Sequence, residues 1–162
     1  MNEQPDRSRS IAGRVAIVTG AASGMGRATA RLFASEGAQV AVTDLDAATC
    51  AAVASECGSS AKAYALDVAD KDAITRVVAQ IAEDFGGVDI LVNNAGISSF
   101  CALDNDGYEE IWHRALAVML TAHQRMVRAA LPYLRASDAP RIVNIASTEG
   151  LGATPGDTPY VA

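Results

Sequence analysis

The sequence predicts an α/β fold, an open, doubly wound parallel sheet of five strands in three layers, α/β/α. Three observations predict it. Short β-branched runs alternate with longer stretches of helical period, the pattern of repeated βαβ units. The first apolar run, Val15-Ala16-Ile17-Val18, is unbroken rather than alternating, as expected of a strand covered by helices on both faces. A glycine-rich turn follows that run directly and opens the first helical stretch.

The elements follow in order. From Gly24, Met25, Ala28, Leu32 and Phe33 share one helical stripe, and Gly37 stops the helix. Val40-Ala41-Val42 is the second strand. An alanine-rich helix follows Asp46, its cap, and ends near Gly58. Ala63 to Leu66 is the third strand. Asp70 can cap the next helix, where Ile74, Val77, Val78, Ile81 and Phe85 keep helical spacing until Gly86-Gly87. Asp89 to Val92 is the fourth strand. A long helix is expected from about Gly107 to Leu134, with Ile111, Ala115, Met119, Ala122 and Met126 on one side. Arg141 to Ile145 is the fifth strand. Residues 1–10 are polar and read as a disordered tail, ahead of a single domain over 11–162.

Bulk properties narrow the function. Half of the 162 residues are apolar and a fifth are charged, as in a soluble globular domain. The net charge of −6 disfavours nucleic acid and anionic membranes, which call for a basic footprint. It leaves room for an anionic cofactor held by backbone N–H groups. No run approaches the ~20 apolar residues of a membrane span, and the N-terminus has no apolar core of a secretory signal. Cys50, Cys57 and Cys101 are an odd number with no C-x-x-C, so neither a disulfide framework nor a metal site is expected. Three free thiols suit a reducing cytoplasm.

The turn after the first strand reads Thr19-Gly20-Ala21-Ala22-Ser23-Gly24-Met25-Gly26. Its glycines allow a tight turn and let a pyrophosphate approach the backbone at a helix N-terminus, so Gly20, Ser23, Gly24, Met25 and Gly26 are candidate cofactor contacts. No Lys-Ser or Lys-Thr follows the last glycine, which excludes a phosphate loop of the nucleotide-triphosphatase kind. Asp44, with Leu45 beside it, closes the second strand eighteen residues after Gly26. A carboxylate there accepts from a ribose 2′-hydroxyl and repels a 2′-phosphate, which favours NAD over NADP.

The spacing T-G-x-x-x-G-x-G resembles that of the short-chain dehydrogenase/reductase family, a Rossmann-like group. Four further segments match that family in order. Asp67-Val68 follows the third strand, where members hold the adenine ring. Asn93-Asn94-Ala95-Gly96 closes the fourth, like the family's N-N-A-G signature, and adds Asn94, Ala95 and Gly96 to the cofactor contacts. Ile142 to Ser147 resembles the strand-five segment that ends in the catalytic serine. Tyr160 lies thirteen residues beyond Ser147, where members carry the catalytic tyrosine and a cofactor contact. Each segment alone is a common turn or cap; the ordered set carries the resemblance.

The resemblance implies an NAD-dependent oxidoreductase that interconverts a secondary alcohol and a ketone. Tyr160 would exchange the proton, and Ser147 would hold the substrate oxygen. Members commonly pair through the long fourth helix and the helix after the tyrosine, which implies a homo-oligomer for the full-length parent. Two departures stand out. The family's lysine four residues after the tyrosine has no position in this sequence, so the chain is expected to be a fragment and silent on its own. Met119 stands where members carry an asparagine that interrupts the long helix, and it has no amide to hold such an irregularity open. A non-catalytic dinucleotide-binding protein of the same fold is the alternative. A methyltransferase, which also has a glycine-rich turn after its first strand, has no use for Ser147 and Tyr160. The pocket segments Ile97 to Leu103 and Thr148 to Thr158 are mostly small or apolar, which fits a moderately apolar substrate.

Overall fold

The computed structural model describes residues 9–162; residues 1–8 of the expected tail lie outside them. The chain runs β1 (Val15–Thr19), α1 (Gly24–Ser35), β2 (Gln39–Asp44), α2 (Ala47–Cys57), β3 (Ala61–Ala65), α3 (Lys71–Phe85) and β4 (Ile90–Asn93). It continues through α4 (Tyr108–Leu116), a π-helical turn (Ala117–Thr121), α5 (Ala122–Ala136), β5 (Arg141–Asn144), a 3₁₀ turn (Thr148–Gly150) and α6 (Thr158–Val161). The five strands form one parallel sheet in the order β3-β2-β1-β4-β5. The winding direction reverses between β1 and β4, so a crevice opens beyond their C-terminal ends.

Strand pleating divides the core into two layers. Ile17 of β1 and Leu91 of β4 belong to one cluster with Val78 and Ile81 of α3 and Met126 of α5. Ala16 and Val18 belong to the other with Val40 and Val42 of β2, Ala30 of α1 and Val53 of α2. Both faces of β1 are therefore dry, which explains its unbroken apolar run. The helix ends follow local chemistry. Asp46 accepts from the Thr49 N–H at 2.7 Å, and Asp70 accepts from the N–H groups of Asp72 and Ala73. Gly86 ends α3 in the left-handed conformation at φ 85°.

Two expectations are corrected. The buried residues of α1 are Gly26 and Ala30, with Phe33 partly covered, whereas Met25 and Leu32 are 66% and 57% exposed. Gly26 fixes that rotation. A Cβ at this position would lie 2.1 Å from the Gly20 carbonyl oxygen, so only a glycine can face the turn. The helix is set by its tightest contact rather than by its apolar stripe.

The long helix runs unbroken from Tyr108 to Ala136, close to the expected span, but not with a uniform period. Ala122 donates to the Ala117 carbonyl five residues back, the bond of a π turn. Its cause lies in the buried stripe Ala115, Val118, Ala122, Met126, Ala130 and Leu134. Leu134 lies 19 positions beyond Ala115, where five turns of α-helix advance about 18. The π turn absorbs the extra residue and keeps the stripe on one face. Met119 sits inside this turn and packs partly against the core, so the irregularity needs no asparagine amide. We therefore expect Met119→Asn to keep the π turn and to lower stability by about 1–2 kcal/mol through lost apolar packing. Urea unfolding measures this, and a variant more stable than the parent contradicts it.

Candidate functional site

The crevice at the strand ends is a cleft of about 850 Å³, within the usual range of small-molecule sites. It is lined by residues from the ends of β1 to β5 and from α4 to α6. Every candidate site residue named from the sequence lines it except Gly26. Gly26 lies just behind the wall, packed on Gly20 and Asn94.

The glycine turn is built by contacts that exclude side chains. Gly20 has φ 63°, and a Cβ on it would stand 2.8 Å from the Ala95 Cα. Asn94 stitches the turn to β4: its Nδ2 donates to the carbonyls of Thr19 (2.9 Å) and Gly20 (3.2 Å). Thr19 Oγ1 in turn accepts from the N–H groups of Asn94 and Ala95 at 2.9 and 3.0 Å. The N-terminus of α1 carries no side-chain cap, since Ser23 accepts nothing from the helix. That contrasts with the Asp caps of α2 and α3. Its N–H groups are left to an anion in the cleft, and the helix dipole favours one there. The residues present thus fit a pyrophosphate.

Asp44 is held from two sides. Its Oδ2 accepts from the Ala22 N–H at 3.0 Å and its Oδ1 from the Leu45 N–H at 2.7 Å. The carboxylate is thereby fixed at the cleft wall beside the glycine turn. Burial, with Asp44 nearby, pushes the neighbouring Cys50 thiol up to about 11. All three cysteines are free.

At the other end lie Ser147 and Tyr160. Ser147 Oγ accepts from the Glu149 N–H at 3.2 Å and so also starts the 3₁₀ turn. That bond leaves its O–H free to donate. Tyr160 rides on α6, whose N-cap Asp157 is buried and accepts from Ser99 Oγ at 3.3 Å. Cys101 N–H donates to the Gly156 carbonyl at 2.8 Å. These bonds clasp the two expected pocket loops together. Asn93 Nδ2 donates to Asn144 Oδ1 at 2.8 Å, tying the end of β4 to the end of β5 beneath the cleft.

Four residues were not singled out as site residues from the sequence. Thr19 anchors the N-N-A-G turn. Asp157 holds α6. His123, one turn after Met119, lines the cleft, and burial lowers its pKa. Arg114 of α4 also lines the cleft and pairs with Asp67. No periodic signal marks any of them, because each acts through a partner remote in sequence or through its position in the fold. Among the described residues no group of three His, Cys, Asp or Glu could hold a metal ion, and no helix is long and apolar enough to cross a membrane.

Comparison with known proteins agrees with this geometry. A family model described as short chain dehydrogenase matches residues 14–162. The 3-oxoacyl-(acyl-carrier-protein) reductase FabG of Thermotoga maritima is 37% identical over 155 residues, covering 94% of this chain and 63% of that reductase. Galactitol 2-dehydrogenase of Agrobacterium fabrum is 40% identical over 138 residues, covering 85% of this chain and 54% of that enzyme. The structure of an NAD+-bound xylitol dehydrogenase superposes with a TM-score of 0.87 at 29% identity, covering 94% of this chain and 60% of that one. The chain thus spans less than two thirds of the length of each of these relatives. With the five-stranded Rossmann sheet, the glycine turn and the family match in agreement, the chain belongs to the short-chain dehydrogenase family.

Proposed function

We propose that this protein binds NAD(H) in the cleft and serves an oxidoreductase that interconverts a secondary alcohol and a ketone. The observation that carries the proposal is one cleft lined at one end by an uncapped helix N-terminus and Asp44, and at the other by Ser147 and Tyr160. The reductase and the two dehydrogenases similar to this chain support the reaction class, and the NAD+-bound relative supports the cofactor.

Gly20, Ser23, Gly24 and Met25 would hold the pyrophosphate, with Gly26 keeping the turn closed. Asp44 and Leu45 would hold the adenosine ribose, and Asp67 and Val68 the base. Asn94, Ala95, Gly96 and Tyr160 would line the path to the nicotinamide. When bound, the nicotinamide accepts or supplies the hydride. Ser147 donates to the substrate oxygen and stabilises the charge that develops there, and Tyr160 passes the proton to or from that oxygen.

We further propose that residues 11–162 act as one nucleotide-binding domain. The parent protein would be cytoplasmic, as its free thiols favour, and a homo-oligomer. A second reading, dinucleotide binding without turnover, is favoured by one observation. Among the described residues no lysine lines the cleft: Lys62 of β3 pairs with Asp84, and Lys71 begins α3. We therefore expect the 162-residue polypeptide to bind NAD yet turn over secondary alcohols poorly.

Titration with NAD and NADP tests the cofactor. The fixed Asp44 carboxylate would lie against the 2′-phosphate of NADP, and a like-charge contact of this kind costs several kcal/mol, on the order of 100-fold in affinity. NAD is expected to bind tighter by about that factor, and Asp44→Ala to narrow the gap. Equal or tighter binding of NADP rejects the assignment.

A further inference from the structure

Asp157 departs from the helix-start chemistry of the other capping aspartates. It stands at the N-cap of α6, yet its side chain makes no cap bond, whereas those of Asp46 and Asp70 cap α2 and α3. Its backbone carbonyl serves α6, accepting from the N–H groups of Tyr160 at 3.0 Å and Val161 at 3.1 Å. The carboxylate turns instead to the 97–103 loop, where Oδ1 accepts from Ser99 Oγ at 3.3 Å. Both residues are buried, Asp157 at 5% exposed and Ser99 at 4%.

Burying a charged group is unfavourable unless new hydrogen bonds replace the lost water. A carboxylate offers about four acceptor positions, and the long bond from Ser99 fills one. Among the described residues no arginine or lysine pairs with Asp157. Its Oδ2 has no hydrogen-bond partner among them either, and it is not sealed from solvent. Asp157 lines the cleft together with Ser147 and Tyr160, the two residues proposed to meet the substrate oxygen. Glu149, the other carboxylate of the two pocket loops, does not line the cleft and accepts from the Thr154 N–H at 2.9 Å. The rest of the lining from those loops is Ile97, Ser98, Phe100 and Gly150. One open carboxylate oxygen therefore stands in a wall that is otherwise small or apolar.

Tyr160 follows Asp157 by three positions. Side chains at that spacing on a helical turn stand about 5–6 Å apart at Cβ, the reach of a substituent one or two carbons from the reacting one. Resting on the alcohol–ketone reading above, we propose that Asp157 is a specificity-determining residue. Its open oxygen accepts from a second hydroxyl of the substrate, so the cleft takes diols and polyols in preference to simple secondary alcohols. The same carboxylate disfavours hydroxy acids, since like charges brought together weaken binding.

The test compares kcat/KM of the protein that carries this sequence, at saturating NAD, on butan-2-ol, butane-2,3-diol and 3-hydroxybutyrate. All three present the same methyl carbinol and differ only beside it. The diol is expected to be favoured over the monoalcohol by roughly tenfold or more, the effect of one hydrogen bond to a charged group. The hydroxy acid is expected to be the poorest of the three. Asp157→Asn keeps the side-chain size and can still accept from Ser99, but then turns an amide N–H to the cleft. It is expected to bring the diol preference below about threefold, the loss of that charge-assisted bond, and to raise the hydroxy acid relative to the monoalcohol. Ser99→Ala loosens the clasp without removing the carboxylate, so it should lower diol and monoalcohol together. A role for Asp157 in holding α6 alone moves all three substrates by one factor, so an unchanged diol preference in Asp157→Asn overturns the proposal. Equal use of diol and monoalcohol by the unaltered protein overturns it too, while leaving the alcohol–ketone reading intact. No turnover of any of the three, with NAD bound, overturns both.

Discussion

Gly26→Ala is expected to remove dinucleotide binding and to lower the melting temperature by roughly 5–10 °C, the shift that about 3 kcal/mol produces in a domain of this size. The added Cβ would stand 2.1 Å from the Gly20 carbonyl oxygen and 2.6 Å from Asn94 Nδ2. Real contacts of a methyl carbon are far longer. Neither obstacle is the free end of a flexible side chain: the first is backbone, and the second is held by two hydrogen bonds to the carbonyls of Thr19 and Gly20. Relief requires α1 to move away from the turn. That movement displaces the N–H groups proposed to face the pyrophosphate and opens the joint between β1 and β4. Gly152→Ala is the control. Nothing lies within 4 Å of its Cβ, and its backbone is not in the left-handed region. It should leave stability within about 0.5 kcal/mol, as at other surface positions. Calorimetry and NAD titration on the two variants read both effects. A Gly26→Ala protein that binds NAD like the parent would show that the turn is looser than these contacts imply.

The same glycine shows what the sequence discloses and what it withholds. Its place in the T-G-x-x-x-G-x-G pattern locates the turn, and the buried strand before it gives the turn its context. The rotation of α1 does not follow from that pattern. A stripe built from Met25, Ala28, Leu32 and Phe33 weighs apolar character alone, whereas the helix is oriented by the one position where no side chain fits. The caps at Asp46 and Asp70 and the stop at Gly86 were legible because they depend on residues at most four apart. The π turn was not, since it arises from a one-residue excess summed over the 19 positions that separate Ala115 from Leu134.

In the site, strand-end residues were legible because the fold sends every parallel strand's C-terminal end to one crevice. Asp44, Asp67, Asn94 and Ser147 gather there once the topology is known. Their partners were not. The Ala22 donor to Asp44, the Thr19 anchor under Asn94 and the Arg114 clamp on Asp67 join segments 22 to 76 residues apart, and the Leu45 donor to Asp44 hinges on side-chain direction. No local pattern encodes such pairings.

The largest kinetic effect is expected at Tyr160. Its phenol lies at the cleft wall on α6, a helix of four residues. So short a helix holds no direction by itself. Its orientation rests on the buried Asp157 carboxylate, the Ser99 hydroxyl that donates to it, and the Gly156 carbonyl that accepts from Cys101. Tyr160 is thus aimed by the 97–103 loop as much as by its own helix. Ser147 lines the same cleft, and its only partner donates to it, which leaves its hydroxyl proton to be donated. Tyr160→Phe keeps the ring and its packing and deletes only the proton-carrying oxygen. On the proposed alcohol–ketone reaction, turnover by the protein that carries this sequence is expected to fall roughly 10²- to 10⁴-fold, the usual contribution of a positioned acid or base. The NAD affinity should fall far less than turnover, since the residues proposed to hold the pyrophosphate and the adenosine ribose lie at the other end of the cleft. Ser99→Ala offers a graded companion: it loosens the clasp under α6 without touching the phenol, and should lower turnover by a smaller factor while Tyr160 remains. Single-turnover kinetics with NADH and a small ketone separate the proton step from binding. Full activity in Tyr160→Phe would remove the tyrosine from the mechanism and leave the cleft as a dinucleotide site alone.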